Sequence, residues 1–207
     1  MQIIYVMDPM CGWCYGFQPE LEQFLSQHPN VTVDWVMGGL APDTDEPMSN
    51  ELKQIIASYW HQIEARSQVT FNHDFWTVNT PYRSTYQACR AVISAEAIAP
   101  NSAQAMAKAI QTAYYQHAKN PSLTGTLLAC ASTIGIDERV FKQVFTSRDT
   151  EQQLQQHLSV SRQLGVRGFP ALLYIDENKR PYPITLGFCQ ASELLERFNL
   201  IARNTNY

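Results

Sequence analysis

The chain has 207 residues, a formal charge of −4, 45% hydrophobic and 16% charged residues. This composition excludes a disordered chain and is long enough to bury a core without staples. The sequence carries no Lys/Arg-rich run and no apolar stretch of membrane-spanning length, so nucleic acid and membrane are both poor partners.

In chain order, Ile3 to Met7 is a nearly continuous apolar run that predicts a buried parallel strand. Met1 lies directly ahead of it, without a basic and apolar leader, which predicts a cytoplasmic protein. Residues 13–28 predict a helix with Phe17, Leu21, Phe24 and Leu25 on one face, ended by His28-Pro29-Asn30. Val31 to Met37 is a second strand, followed by Gly38-Gly39, and the three elements make a right-handed βαβ unit.

From about residue 49 to 165 the pattern is helical. Ile55, Ile56, Tyr59, Trp60 and Ile63 recur at helical spacing, as do Met106, Ile110, Ala113 and Tyr114, then Val140, Phe141, Val144 and Phe145. Asn101 with Gln104 and Thr150 with Gln153 read as capping boxes, and Gly135 and Gly165 as helix ends. Pro42 to Pro47 and Phe71 to Pro81 read as linkers. Strands return at Ala171 to Ile175 and Ile184 to Leu186; Pro181 and Pro183 place the second at a sheet edge. A last helix uses Leu194, Leu195, Phe198 and Ile201.

The chemistry concentrates at Cys11-Gly12-Trp13-Cys14, just after the first strand. Thiols three residues apart share one face of a helical turn and suit thiol–disulfide exchange. A position near the helix N-terminus favours the Cys11 thiolate, which makes Cys11 the nucleophile and the deeper Cys14 the resolving thiol. In a reducing compartment their disulfide is a catalytic intermediate instead of a brace. The competing reading, half of a zinc site, needs a second close pair, and Cys89, Cys130 and Cys189 are isolated. Those three read as small core residues. No histidine has ligand spacing, so surface roles are expected for each; no metal and no cofactor are expected. Trp35, Trp60 and Trp76 are expected in the core, and Arg83 and Arg90 in salt bridges.

Downstream, Gly168-Phe169-Pro170 stands directly ahead of an apolar strand, where a cis proline can be held. Beyond sheet-strand ends, ligands collect near the first helix, so this loop can lie beside Cys11. Trp13, Met10 and Phe169 would then offer apolar contacts to a client.

With both motifs in hand, the chain resembles the thioredoxin-fold family in its DsbA-like branch. The stretch Asp8-Pro9-Met10-Cys11-Gly12-Trp13-Cys14-Tyr15-Gly16 is similar to cytoplasmic protein-disulfide isomerases of that branch and to FrnE-type oxidoreductases. The resemblance implies an α/β thioredoxin-like fold, a central mixed sheet flanked by helices. It implies a discontinuous domain of residues 1–44 and 150–207, with residues 45–149 as a helical insertion over the active site. It further implies that Cys11 and Cys14 are the redox pair, that Pro170 is a cis proline packed against them, and that the Phe169 backbone pairs with extended substrate. Gly12 and Trp13 would tune the thiolate. The implied partners are protein or peptide disulfides and thiols, with glutathione or a thioredoxin-type reductant. Thioredoxin-like proteins often carry a buried acid six residues before the nucleophile; that position here is Tyr5. Asp8 is the nearby carboxylate and a candidate for proton transfer. Two other functions stay open: a glutathione-dependent isomerase or transferase of the kappa-class type, and a protease adaptor with a redox-sensing thiol pair.

Overall fold

The computed structural model describes residues 2–205. The elements run β1 (Gln2–Met7), α1 (Gly12–Ser26), β2 (Thr32–Met37), α2 (Asn50–Arg66), α3 (Phe75–Val78), α4 (Tyr86–Ile98) and α5 (Ala103–Gln111). A π-helical turn over Thr112–Gln116 extends α5, and then come α6 (Thr124–Thr133), α7 (Glu138–Phe145), α8 (Arg148–Gln163), β3 (Ala171–Ile175), β4 (Pro181–Leu186) and α9 (Ala191–Thr205). The sheet is four-stranded and mixed, in the order β2-β1-β3-β4, with β1 parallel to β2 and antiparallel to β3. The expected α/β, thioredoxin-like architecture with a large helical block is therefore present.

The edge position of β4 explains why its strand begins at Pro181, earlier than the predicted Ile184. Pro181 faces Ile175 and Pro183 faces Leu173 across the ladder, and only an edge strand tolerates residues without an N–H. Gly135 and Gly165, at φ 81° and 70°, stand just beyond the ends of α6 and α8, as expected of left-handed terminators.

Both predicted capping boxes are displaced. Asn101 lies outside α5 in a left-handed conformation, φ 70°. There Glu96 of α4 accepts from the amides of Asn101 at 2.8 Å and Ala103 at 2.9 Å. In α8 the N-cap is Ser147, whose hydroxyl accepts from the Thr150 amide at 3.1 Å; Thr150 is already inside the helix. In both places an oxygen from outside the predicted box reaches the free amides first.

One apolar cluster runs through the sheet and the helical block together, from Ile3, Tyr5 and Phe17 to Trp60, Met106, Phe141 and Leu172. Trp60 is its largest fully buried side chain, while Trp35 and Trp76 pack against it half-buried. The predicted stripe on α2 is narrower than expected: Trp60 and Ile63 are buried, but Ile55 and Tyr59 face solvent. The Phe71 to Pro81 segment is no plain linker, because Phe71 and Phe75 are buried and α3 lies within it. Trp60 stacks on Phe71 with ring centroids 4.8 Å apart, and Tyr115 stacks on Tyr15 of α1 at 4.6 Å. These rings join the helical block to the helix that carries the thiols.

Glu64 fastens the same segment. Its carboxylate accepts from the Phe71 amide at 2.8 Å and lies 3.1 Å from His73 Nε2 and 3.4 Å from His61 Nδ1. The two imidazoles stack 4.2 Å apart with planes 12° from parallel. One ligand atom from each of His61, Glu64 and His73 lies within 4.8 Å of the others, and the carboxylate holds the two rings together. Arg90 bridges Asp43 at 2.7 Å and Glu151 at 2.9 Å, the structural role expected of it.

Candidate active site

β1 delivers the chain to a turn at Asp8-Pro9-Met10, and Cys11 is the N-cap of α1, with φ −82° and ψ 114°. The Cys11 amide donates to the Asp8 carbonyl at 3.0 Å, and the Cys11 carbonyl accepts from Tyr15 at 3.1 Å. This places the thiol at the end of the helix where unpaired amides cluster.

Across the sheet, Val6 pairs with Ala171, so the antiparallel register of β1 and β3 carries the residues before β3 alongside the chain leaving β1. The Phe169–Pro170 peptide bond is cis, and the Phe169 carbonyl lies 3.7 Å from Cys11 Sγ. The two motifs, about 160 residues apart in sequence, thus meet at one sulfur. The Phe169 ring itself is not free. A Cβ on Gly38 would fall 2.0 Å from it, so the glycine after β2 provides its seat.

The remaining predicted residues fall into distinct roles. Trp13 is half-buried, 5.7 Å from the Phe188 ring and 5.6 Å from the Arg66 guanidinium. Gly12 faces inward: a Cβ there would lie 2.8 Å from Ile63 Cδ1 of α2, and one at Gly16 2.7 Å from Ile63 Cγ2. The dipeptide glycine therefore admits the helical block. Met10, expected as part of an apolar surface, is 8% exposed and belongs to the core. The half-buried apolar rim is instead Trp13, Phe169 and Phe188.

Cys14 is 1% exposed and lies beside Cys11, and both thiols are free. Burial, then its contact with Cys11, pushes the Cys14 thiol well above its ordinary pKa. Tyr5 is 2% exposed, and burial, then the neighbouring charges of Cys14 and Cys11, likewise drives its phenol upward.

Asp8 is wholly buried. Its Oδ1 accepts from the Met10 amide at 2.8 Å. Its Oδ2 accepts from the Leu40 amide at 2.6 Å, the Thr85 hydroxyl at 2.6 Å and the Cys89 thiol at 3.5 Å. Burial raises its pKa, partly offset by these four donors. Its side chain ties the turn before Cys11 to the segment after β2 and to α4, and the hydrogen bonds it accepts do not include Cys11 or Cys14. Thr85, Leu40 and Gly38 carried no signal in sequence as part of the site; only Gly38-Gly39 stood out, as a strand end. Cys89, Cys130 and Cys189 are all buried, as expected of core residues.

A cavity of about 720 Å³ lies elsewhere, between β2, α4, α5 and α8, and no thiol lines it. Among the described residues, no helix is long and apolar enough to cross a membrane.

Comparison with known proteins places this geometry. The family model described as thioredoxin matches residues 5–197. A solved structure of a candidate protein disulfide isomerase from Nitrosomonas europaea superposes with a TM-score of 0.88 at 28% identity, covering 98% of each chain. The cytosolic disulfide reductase DsbM of Pseudomonas aeruginosa gives 0.80 at 21% identity, over 98% of this chain and 99% of that one. Among curated proteins, the ClpXP adapter protein SpxH of Halalkalibacterium halodurans is 19% identical over 183 residues. That match takes in 86% of this chain, which spans only 60% of the relative's length. With its mixed sheet interrupted by a helical block, and the family model covering nearly its whole length, the chain belongs to the thioredoxin family.

Proposed function

We propose that this protein is a thiol–disulfide oxidoreductase acting on protein or peptide disulfides through Cys11 and Cys14. The observation that carries the reading is the meeting of Cys11 Sγ, at a helix N-cap, with the Phe169 carbonyl of the cis Phe169–Pro170 bond at 3.7 Å. The thiolate form of Cys11 is the species that attacks a substrate disulfide. The Phe169 backbone offers an edge to an extended substrate segment, which aligns its disulfide with Cys11. Attack by Cys11 releases one substrate thiolate and leaves a mixed disulfide. Cys14 then attacks Cys11 Sγ, closing the internal disulfide and releasing the second substrate thiolate. Run in reverse, the same steps oxidise a dithiol.

Glutathione or a thioredoxin-type thiol is the electron partner of this reading. Its support is that DsbM, of similar fold, has been solved with GSH. That protein is described as cytosolic, in keeping with a cytoplasmic role here. The resemblance to an adapter protein favours a second reading, in which the helical block binds a client and the thiols sense redox state.

Insulin reduction separates the two. Cys11→Ser should abolish turnover, and Cys14→Ala should accumulate a covalent adduct with the substrate. Unchanged turnover in Cys11→Ser would overturn the enzymatic reading. Client capture by a protein with both cysteines replaced by serine would support the adapter. Equilibration in glutathione buffers then reads direction: a potential near roughly −270 mV marks a reductant, one near roughly −120 mV an oxidant.

A further inference from the structure

Helix α2 presents His61 and Glu64 at positions i and i+3, where side chains are neighbours on one side of a helix. A third group arrives from the segment before α3. His73, nine residues beyond Glu64, brings its Nε2 to 3.1 Å from Glu64 Oε2. The same oxygen lies 3.4 Å from His61 Nδ1. A tetrahedral ion with bonds of about 2.1 Å separates its ligand atoms by about 3.4 Å. Both contacts of the carboxylate oxygen are close to that spacing, and one ligand atom from each residue lies within 4.8 Å of the others. Closing the third side takes side-chain rotation alone, for which His61, with its side chain 69% exposed, has room.

The rest of the set is held in place. Glu64 Oε1 accepts from the Phe71 amide at 2.8 Å, which leaves Oε2 turned to the imidazoles. The His73 ring lies 5.8 Å from the buried Trp60, and its carbonyl accepts from the Trp76 amide at 3.2 Å. The Glu64 and His73 side chains are 26% and 34% exposed, so an ion can enter from solvent.

Charge favours a cation here. Among the described residues no Lys or Arg pairs with Glu64, whose ion-pair partners are these two histidines. Arg66, the nearest cation along the helix, stands over the Trp13 ring instead. An ionised carboxylate only accepts, so each imidazole turns an N–H toward it. Neutral imidazoles leave the carboxylate charge uncompensated.

We propose that His61, Glu64 and His73 bind one divalent transition-metal cation of the zinc type. Two imidazole nitrogens and one carboxylate oxygen suit such an ion better than magnesium or calcium, which prefer oxygen alone. Each facing nitrogen gives its lone pair to the metal, and its ring keeps one proton on the other nitrogen, Nε2 of His61 and Nδ1 of His73. Water completes the coordination. The ion ties α2 to the segment before α3, and both press on the helix that carries the thiols. From α2, Ile63 meets Gly12 and Gly16; from the segment, the Phe71 ring meets Tyr15 at 5.2 Å. Bound metal thus clamps the helical block onto α1, whatever chemistry the thiols perform.

The test uses the full chain carrying Cys11→Ser and Cys14→Ser, freed of metal by a chelator, so that this thiol pair does not compete for the ion. Calorimetric titration with zinc chloride should show one equivalent bound. Zinc should also raise the Tm, and magnesium at the same concentration should not. In the same background, His61→Ala and Glu64→Gln should each weaken zinc binding by about tenfold or more and remove the rise in Tm. Both changes are mild for the fold, since His61 is exposed and glutamine keeps an oxygen for the Phe71 amide; an unchanged Tm without zinc checks this. Cobalt in place of zinc should give visible bands without the near-ultraviolet band of a thiolate ligand. Zinc affinity unchanged in both variants would overturn the site. So would zinc bound only when Cys11 and Cys14 are present, or a thiolate band with cobalt, which would place the ion on another cysteine. An equal rise in Tm with magnesium would overturn the assignment to a transition metal.

Discussion

The sheet half and the helical block hold the thiol pair by different means. At the sheet ends the contacts are largely backbone: the N-cap of α1 at Cys11, the Phe169 carbonyl, and the amides gathered by Asp8. In the helical block they are side chains: Ile63 against Gly12 and Gly16, and the rings of Trp60, Phe71 and Tyr115 against Tyr15 and one another. Backbone groups fix where the sulfur sits and what it faces. Packed side chains exclude water, and so set how strongly polar groups there are felt. Orientation and dielectric environment at this site thus come from parts of the chain far apart in sequence.

Three substitutions would break or sharpen that contrast. The largest effect is expected from Trp60→Ala, which empties the centre of the aromatic cluster and should cost about 3–5 kcal/mol in urea unfolding. If the division of labour holds, the folded fraction keeps a reactive Cys11. Loss of Cys11 reactivity in protein that is still folded would show that the block also orients the thiol.

Next is Gly38→Ala, which drives a methyl group into the Phe169 ring and should cost about 1–3 kcal/mol. Combining it with Phe169→Ala should recover part of that cost, and a double-mutant cycle measures the coupling. Purely additive effects would mean that Phe169 is not seated on Gly38.

The smallest effect belongs to Asp8→Asn and is read as a pH dependence. Burial raises the folded pKa of Asp8 above its unfolded value of about 3.9. Its contribution to stability is therefore full below about pH 4 and is lost as pH rises through the folded value. Urea unfolding at several pH values should show the parent losing stability relative to Asp8→Asn across that window. Parallel curves would break the assignment.

Much of the sheet half was legible because its signals are local. An apolar run, a Cys-x-x-Cys pair and a Gly-Phe-Pro ahead of a second apolar run each state their structure within a few residues, and Pro181 and Pro183 declare an edge. The helical block was legible as helices but not as contacts. The stripe on α2 lost Ile55 and Tyr59 to solvent, because the neighbouring rings cover only part of that face. Both capping boxes lost to other oxygens, from Glu96 and Ser147, since a free amide bonds whichever acceptor the packing brings.

The sequence by itself determined the chemistry available: two thiols one helical turn apart after a buried strand, a proline motif able to stand beside them, and a tyrosine where related proteins often place an acid. Only the tertiary structure decided what each group faces. It put the Phe169 carbonyl on Cys11, turned Gly12 toward Ile63, drew Met10 inside, and left Asp8 bonded to two amides, a hydroxyl and a third thiol. The physical reason is range. Strand and turn preferences act over a few residues, whereas burial and hydrogen-bond partners are set by chain segments that meet only when the core closes.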